Sequence, residues 1–548
     1  MEDPSSVGAA RTQRYIYDAA GLLRASEDAL GGRVHQFYDE KGRLAAQVDA
    51  TGTVIGYSFD GADRVVATTT HANRVTTSNW LVDGAVVPAM VSQIGLQTDS
   101  ANDRVTRRSY DDAGRVLTET SAVGTVTRYA YDDAGRLITA TIGTGATARV
   151  TRNFYDASGL LTATPDAEGV LVERGYDKAG RLIRTIAYAT ATTASLRAAG
   201  TLQQLRPAAA DGDQTIRLFY DGRGNLVGQL DPEGYVTEYV FDEDGNSRAT
   251  LSYYRQVPEA SRTGDWASIR GQVAAVADEA AYRQQRRQFN SMGQLETEVS
   301  TSGLVTRYTY DAAGRLAQAI SEDRRTDEWG WEIVKTRENN RFYNAFGELI
   351  AELDGAGSEK LVDVQSEQER QELIARCATH YQYDALGRMI RSTNPNGVAT
   401  WFVHDAEGRL RYTAQGMSSA EGVKNAQAEV TEWRYNAFGD QTEQIRYVGR
   451  LQLAVPDSRQ SLLDALGTLS FTAANDARQQ FTYNANGQVI TATDTLGVRT
   501  LQTYTCLVNW SGLSVQPARH VARSRPTATI VAVCSCRLCR TLERDGST

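Results

Sequence analysis

The stretch YDDAGRVLTETSAVGTVTRYA, residues 110–130, contains the pattern that decides the fold: an aromatic residue, Asp or Asn, two variable residues and Gly. Fourteen copies match this pattern strictly, where chance would give about 0.3, so the chain is built from an internal repeat. Asp63 replaces Gly in one further copy, His404 replaces the aromatic residue in another, and seven of the intervals are 21 residues long. The aromatic positions are Tyr17, Tyr38, Phe59, Tyr110, Tyr131, Tyr155, Tyr176, Tyr220, Phe241, Phe289, Tyr310, Tyr343, Tyr383, Tyr435 and Tyr483.

Each unit predicts two strands and two turns. In the first turn, Asp111 can accept a hydrogen bond from a backbone N–H two or three residues on, and Gly114 can adopt the positive φ that closes a hairpin. Residues 115–120 are largely β-branched or alternating, as expected of a strand. A second turn follows at residues 121–124, and the chain then runs back to the next aromatic residue.

A hairpin this short is marginally stable alone, so neighbouring hairpins should stack and pair their edges. The sequence therefore predicts an all-β fold, a long antiparallel sheet with a few helical insertions. Because an open sheet of about thirty strands must twist and curl, we expect it to spiral into an open or partial hollow shell.

Composition excludes several classes of function. The chain has 548 residues, a net charge of −9 and a pI near 5.4, which argues against broad binding to nucleic acid or to an anionic membrane. No segment approaches the roughly 20 apolar residues that span a bilayer, and the first residues lack the pattern of a standard export signal. Four of the five cysteines lie at Cys506 or beyond, so a disulfide framework is not expected.

The repeats in which Arg follows the glycine carry a family resemblance. They resemble the YD repeat of RHS proteins over about residues 15–504, and they are residues 38–43, 110–115, 131–136, 176–181, 310–315 and 383–388. The family includes bacterial polymorphic toxins, the shell-forming C component of insecticidal toxin complexes and the teneurins. The resemblance implies a spiralling sheet that encloses a hollow cocoon, secretion or cell-surface location, and a toxic C-terminal polypeptide or other shell segments as partners.

One departure from the family is a missing closing segment. The chain lacks the motif with paired aspartates that marks the plug and self-cleavage domain, so no residues are expected to carry autoproteolysis. We therefore expect a fragment of a shell. Related repeats have also been linked to carbohydrate or cell-surface binding, and the alternative function is an adhesion module that presents turns and insertions to surface glycans or proteins.

The expected organisation has three parts: an N-terminal extension at 1–14, the repeat region at 15–504 and a non-repeat tail at 505–548. Four insertions look helical, near 189–213, 257–287, 359–379 and 456–480; in the second, Trp266, Ile269, Val273 and Val276 recur near helical spacing. After Tyr504, which is in register with the repeat, composition changes abruptly. A reading-frame change or junction explains this best, and a short C-terminal toxin domain is the alternative.

No catalytic, metal or cofactor-binding residue is expected, and the chain is predicted not to be an enzyme. Cys534, Cys536 and Cys539 with His520 could in principle bind zinc, but the spacing of two CxxC pairs is absent and an unordered tail with reactive thiols is favoured. The remaining histidines are isolated and are expected to pack. The many carboxylates recur at turn positions, and the Gly222-Arg223-Gly224 segment lies in a turn, which favours neither acid–base chemistry nor phosphate binding.

Overall fold

The structure is a computed structural model of the chain. It describes residues 11–82, 84–145, 148–274, 282–326, 332–361, 364–418, 427–452, 459–472, 476–505, 518–524 and 531–534. Most of these residues lie in antiparallel strands, as the sequence predicts.

Eleven strands form the first antiparallel sheet in chain order, and two short strands, β7 and β8, pair with each other. The strands are β1 (Arg14–Tyr17), β2 (Leu23–Glu27), β3 (Arg33–Tyr38), β4 (Leu44–Val48), β5 (Val54–Phe59), β6 (Val65–Thr70), β7 (Leu81–Val82), β8 (Ala85–Val86), β9 (Arg104–Tyr110), β10 (Val116–Thr120), β11 (Val126–Tyr131), β12 (Leu137–Ile142) and β13 (Arg149–Arg152).

Twenty-five strands form the second sheet, also in chain order, and among the described residues neither large sheet closes on itself. The strands are β14 (Phe154–Tyr155), β15 (Leu161–Pro165), β16 (Leu171–Tyr176), β17 (Leu182–Ala187), β18 (Gln214–Tyr220), β19 (Leu226–Leu230), β20 (Val236–Phe241), β21 (Ser247–Tyr253), β22 (Tyr282–Phe289), β23 (Leu295–Val299), β24 (Val305–Tyr310), β25 (Leu316–Thr326), β26 (Glu332–Tyr343), β27 (Leu349–Leu353), β28 (Thr379–Tyr383), β29 (Met389–Thr393), β30 (Val398–His404), β31 (Leu410–Ser418), β32 (Gln427–Tyr435), β33 (Gln441–Gln452), β34 (Ala477–Tyr483), β35 (Val489–Thr493), β36 (Arg499–Thr505), β37 (Ala518–Ser524) and β38 (Val531–Cys534).

The first turn of each repeat has a common geometry. In the repeat at Tyr110, the Gly114 N–H donates to the Asp111 carbonyl at 3.0 Å, and the Asp111 N–H donates to the Arg115 carbonyl at 2.9 Å. Gly114 has a φ of 81°, which glycine adopts without the steric cost of a Cβ. Asp63, the residue that replaces this glycine, adopts a φ of 61°, so the turn geometry is kept there at some cost.

Insertions replace the second turn at several places. The helices are α1 (Leu202–Leu205), α2 (Trp266–Ala274), α3 (Gly355–Glu359), α4 (Glu367–Cys377) and α5 (Arg459–Gly467), and 3₁₀ helices lie at Val91–Gln93, Ala194–Leu196 and Glu259–Ser261. Helix therefore lies in each of the four segments expected to be helical, although in 189–213 it amounts to short turns. Val276 lies outside the described residues.

A further insertion, residues 71–103, did not stand out in the sequence. It contains β7, β8 and one 3₁₀ helix in place of an α-helix. Its Trp80 and Ile94 pack against Phe37 and Val48 of the sheet, and all four side chains are buried. An insertion with neither helical periodicity nor the repeat signature leaves little trace in sequence, yet it builds one of the hydrophobic cores.

The chain divides into two compact units, Met1–Arg128 with Thr379–Thr548, and Tyr129–Ala378. In each unit the hydrophobic cores form where an insertion packs on the sheet. In the second unit, Ile269 and Val273 of α2 are 0% and 1% exposed against Phe219 and Leu230. Burial of such side chains contributes about 1.5–3 kcal/mol each, so the insertions are integral to the fold.

Candidate functional site

The repeat aromatic residue connects consecutive repeats through its hydroxyl group. In at least ten repeats the tyrosine hydroxyl donates to the backbone carbonyl of the second residue after the first-turn glycine of the preceding repeat, or after Asp63 in its place, at 2.6–3.1 Å. These tyrosines are Tyr38, Tyr110, Tyr155, Tyr176, Tyr220, Tyr310, Tyr343, Tyr435, Tyr483 and Tyr504. The aromatic residue is therefore a packing and hydrogen-bonding element between repeats.

The arginine at the sixth position of the repeat, after the glycine or after Asp63 in its place, makes the second connection between repeats. Arg64 donates from Nε to Asp60 of its own turn at 2.8 Å, and from Nη1 to the carbonyl of Asp111 in the next turn at 2.7 Å. Its guanidinium carbon lies 5.0 Å from the ring centroid of Tyr110. The arginines that stack in this way on the next repeat's aromatic ring, at 4.6–5.0 Å, include Arg43, Arg64, Arg136, Arg181, Arg315 and Arg409.

The second and sixth residues of the first turn vary together. Asp is paired with Arg in eight turns, whereas Asn290 donates from its amide to Gln294 at 2.9 Å, and Asn344 donates to Glu348 at 2.7 Å. An acid thus faces a cation, and an amide donor faces an acceptor. This pairing is visible in the sequence, because each Asn at the second position is followed four residues later by Gln, Glu or Asp. Counting the repeats alone does not reveal it.

One turn obtains its arginine from a distant part of the same unit. In the repeat at residues 435–440 the sixth residue is Asp440, where half of the repeats carry an arginine, and Asn436 donates to it at 2.9 Å. Arg104, 336 residues earlier, pairs with Asp440, and its guanidinium carbon lies 3.9 Å from the ring centroid of Phe438. Arg104 also donates to the carbonyl of Asn484 at 3.4 Å, the contact that an in-line arginine makes with the next turn.

Further contacts join the same two parts of the chain. We call this set of contacts the turn seam, with residues 49–53, 74 and 104 on one side and residues 405–408, 436–440 and 484 on the other. The Thr53 hydroxyl donates to the Ala437 carbonyl at 3.3 Å, Arg74 donates to the Asn436 carbonyl at 3.0 Å, and the Thr51 hydroxyl donates to Glu407. Burial raises the pKa of Glu407. The seam thus joins the second turn at residues 49–53 and the insertion at residues 71–103 to the first turns at residues 405–408 and 436–440.

Buried carboxylates lie beneath the insertions and are fully paired. Glu432 is 2% exposed and accepts hydrogen bonds from Tyr447 at 2.5 Å and Tyr412 at 3.1 Å, and it pairs with Arg411 and Arg434. Burial opposes ionisation, but the hydrogen bonds from Arg434 and Tyr447 outweigh it and hold the pKa of Glu432 below its ordinary value. A carboxylate kept ionised and enclosed by donors is suited to structure more than to proton transfer.

The histidines are dispersed. His35 is 1% exposed with its ring centroid 5.1 Å from that of Trp80, and burial lowers its pKa to about 4. His71 shares a 2.8 Å contact with Asp103 at the base of the 71–103 insertion. His404 ends β30 at the aromatic position of its repeat. Among the described residues there is no cluster of three or more metal-ligating side chains. The Cys536 and Cys539 thiols lie outside the described residues.

A shallow polar depression of about 360 Å³ lies on the sheet formed by β33–β36. Its lining includes Thr482 and Thr491, whose hydroxyls lie 2.6 Å apart, and Glu443, which pairs with Arg434 and Arg478. The polar groups at this place therefore satisfy one another. None of the helices in the described part of the chain has the length and apolar character needed to cross a bilayer.

Comparison with known proteins agrees with this repeat geometry. The model of the RHS repeat matches residues 38–76, 110–147 and 289–326. The chain carries RHS repeats in these three segments. A search of curated proteins finds no match.

The fold of these RHS repeats is similar to that of solved toxin-complex structures. A TcdB2-TccC3-Cdc42 structure matches with a TM-score of 0.60 at 15% identity over 94% of this chain, and TcdB2-TccC3 without its hypervariable C-terminal region matches at 0.58 and 16% over 91%. A Tc holotoxin pore structure from Photorhabdus luminescens matches at 0.52 and 15% over 96%. The chain spans 23%, 22% and 24% of those chains. The likeness shows a similar fold.

Proposed function

We propose that this chain is a structural segment of a shell in a secreted, toxin-complex-like protein, which encloses or presents a toxin polypeptide and performs no catalysis itself. The observation that carries the proposal is the turn seam. A sheet that only meanders brings together residues of neighbouring hairpins, whereas the seam joins Arg104 to Asp440 and Thr53 to Ala437, 336 and 384 residues apart. A wound wall requires such contacts between successive windings.

The repeat interfaces support a wall more than an adhesive surface. Sugar-binding aromatic residues need an exposed ring face, whereas the ring of Tyr220 is covered by Arg181 at 4.8 Å and its hydroxyl is bonded to the Leu182 carbonyl. The same two contacts recur at Tyr155, Tyr343 and Tyr435. The toxin association rests on the similarity to the solved toxin-complex structures, and it predicts a protein cargo.

The seam can be tested without damage to the repeat. Asp440→Arg keeps the glycine and the backbone hydrogen bonds of the first turn, so the local hairpin should fold, but it removes the acceptor of the Asn436 amide and places a cation against Arg104. We expect small-angle scattering and electron microscopy of the full chain to show a compact hollow particle for the wild type and a more expanded one for Asp440→Arg. Adding Arg104→Asp should restore compactness, because opposite charges again face each other across the seam.

Asn225→Arg is the matched control, since it places an arginine at the same turn position, opposite Asp221, at a place without a seam contact among the described residues. It should leave the scattering profile unchanged. A wild-type particle without an interior, or an Asp440→Arg variant as compact as the wild type, would contradict the proposed wall.

A further inference from the structure

A threonine hydroxyl lies between two carboxylates in the turn seam. The Thr51 hydroxyl oxygen lies 2.9 Å from Oδ1 of Asp49 in its own turn, and it also contacts Oε1 of Glu407 on the other side of the seam. A hydroxyl carries one hydrogen, so Thr51 can donate to only one of these carboxylates at a time. When both are ionised, the second carboxylate oxygen faces the hydroxyl oxygen with no hydrogen between them.

A proton on Glu407 completes this contact. A protonated carboxyl group has an O–H donor, which can donate to the Thr51 hydroxyl oxygen while the hydroxyl donates its own hydrogen to Asp49. Two consecutive hydrogen bonds then cross the seam, and one negative charge remains in place of two. The neighbouring seam contact is compatible with this arrangement, because the Thr53 hydroxyl keeps its hydrogen bond to the Ala437 carbonyl at 3.3 Å.

The charges around Glu407 neutralise it incompletely. Arg409 pairs with Glu407, but its Nε also donates to Asp405 at 2.7 Å, so one guanidinium group serves two carboxylates of the same turn. From the adjacent turn, Arg388 donates to the backbone carbonyl of Asp405 at 3.4 Å. The facing turn contributes Asp49, a further negative charge. Loss of the proton from Glu407 therefore adds a charge to a part of the seam that is already rich in carboxylates.

We propose that Asp49, Thr51 and Glu407 form a proton-operated latch on the turn seam. One proton taken from solvent by the Glu407 carboxylate tightens the seam in mild acid, and release of that proton weakens the seam as the pH rises. The inference rests on the proposed wall and deepens it by naming what regulates the contact between its windings.

The direction of the effect follows from the proton affinity of Glu407. Burial, the largest influence, and the neighbouring Asp49 raise the pKa of Glu407 above its ordinary value of about 4.5, against the opposing effects of the Thr51 hydroxyl and Arg409. A group with a raised pKa in the fold contributes stability that is complete below its ordinary pKa and is lost as the pH rises through the raised value. Buried His35 acts in the opposite direction, since its pKa is lowered. The latch is therefore measured as a difference between two proteins at the same pH.

Hydrogen exchange of the full chain at residues 49–53 and 436–440, from pH 4.5 to pH 8, tests the latch. Glu407→Gln keeps a donor for the Thr51 hydroxyl oxygen at every pH and cannot ionise. Wild type and variant should therefore exchange at equal rates at pH 4.5. At pH 8 the wild type should exchange about three- to tenfold faster, the effect of one hydrogen bond. The comparison at equal pH cancels the intrinsic pH dependence of exchange and the contribution of His35.

Asp49→Asn tests the second carboxylate of the latch. Asn394 holds the equivalent position of another second turn, where its Oδ1 accepts from the Val398 N–H at 2.9 Å as Asp49 does from the Thr53 N–H, so the local turn should fold. Without the charge of Asp49, exchange at residues 436–440 should depend less on pH than it does in the wild type.

Asp244→Asn is the matched control, because Asp244 is exposed at the same repeat position as Glu407, in a turn without a seam contact among the described residues. It should leave all of these rates unchanged. Equal rates for wild type and Glu407→Gln at both ends of the pH range would overturn the latch. Faster exchange of the variant at pH 8 would also overturn it, by showing that the ionised pair with Arg409 holds the seam. Failure of the wall would appear instead in the scattering of Asp440→Arg, so the two failures are distinguishable.

Discussion

Tyr447 donates its hydroxyl hydrogen to Glu432, 15 residues earlier in the chain, with 2.5 Å between the oxygens. The same spacing joins Tyr253 to Glu238 at 2.6 Å. In both pairs the tyrosine lies where a strand leads into an insertion, and the glutamate lies three residues before a repeat aromatic residue. Arg270 of α2 also pairs with Glu238, at 2.7 Å. At Glu238, a buried carboxylate thus links the sheet to the helical insertion that contains α2.

We expect Tyr447→Phe to destabilise the first unit by about 1.5–3 kcal/mol, because it removes a hydrogen bond to a buried charge. Glu432→Leu should cost more, about 3–5 kcal/mol, because it leaves the guanidinium groups of Arg411 and Arg434 without their buried partner. Urea unfolding measures the total effect, and hydrogen exchange of residues 459–467 reports whether the insertion opens first.

The matched control is Glu429→Gln, which lies three residues before Glu432 in the same strand. Glu429 pairs with Arg446 at 2.9 Å, but both side chains are more than half exposed, so the change should cost less than about 1 kcal/mol. Equal losses for Glu429→Gln and Glu432→Leu would contradict the assigned role of burial.

Sequence predicts the hairpins well because Asp111, Gly114 and the 21-residue interval are local signals. It does not reveal the Glu432–Tyr447 pair, since a 15-residue spacing acquires meaning only when strand register is known. The contact between Arg104 and Asp440 is still further from prediction, because insertions of different lengths interrupt the 21-residue repeat over the 336 positions that separate the two residues. The expected tail boundary at 504 and 505 stays a prediction, although Tyr504 does donate to the Val489 carbonyl like other repeat tyrosines.

Buried His35 should make the protein sensitive to mild acid. Burial lowers its pKa to about 4 in the fold, against about 6.5 in an unfolded chain, so the folded state favours the neutral ring. At pH 7 both states are neutral and the group contributes nothing. As the pH falls from about 6.5 to about 4 the unfolded state binds the proton first, and stability should fall by up to about 3 kcal/mol.

The measurement is the free energy of unfolding at pH 7 and pH 4.5 for the wild type and for His35→Leu. The variant should lose less stability between the two pH values, even if it is less stable at pH 7. Lowered carboxylate pKa values, as at Asp60, act in a more acidic window. An identical pH dependence in both proteins would show that His35 does not titrate in this way.

Gly52 should tolerate no side chain, because the 71–103 insertion returns against it. The Val75 N–H donates to the Gly52 carbonyl at 2.8 Å, and a Cβ on Gly52 would lie 1.8 Å from the Val75 carbonyl oxygen. Gly124→Ala is the matched control: its φ of 82° is close to the 85° of Gly52, but a Cβ there meets no atom within 4 Å. We expect about 1–2 kcal/mol for Gly124→Ala and about 1–3 kcal/mol beyond that for Gly52→Ala, measured by urea unfolding.

The pairing of turn residues predicts a coupling between Asp177 and Arg181, which lie 2.7 Å apart. Asp177→Asn and Arg181→Gln should each lower the melting temperature, because each leaves one member of the ion pair without its partner. The double variant should lose less than the sum, since Asn and Gln pair through their amides, as Asn290 and Gln294 do. Asp177→Asn combined with Arg315→Gln, which lies in another repeat, should be additive. If both double variants are additive, the second and sixth turn residues are not energetically coupled and their joint variation along the chain has another cause.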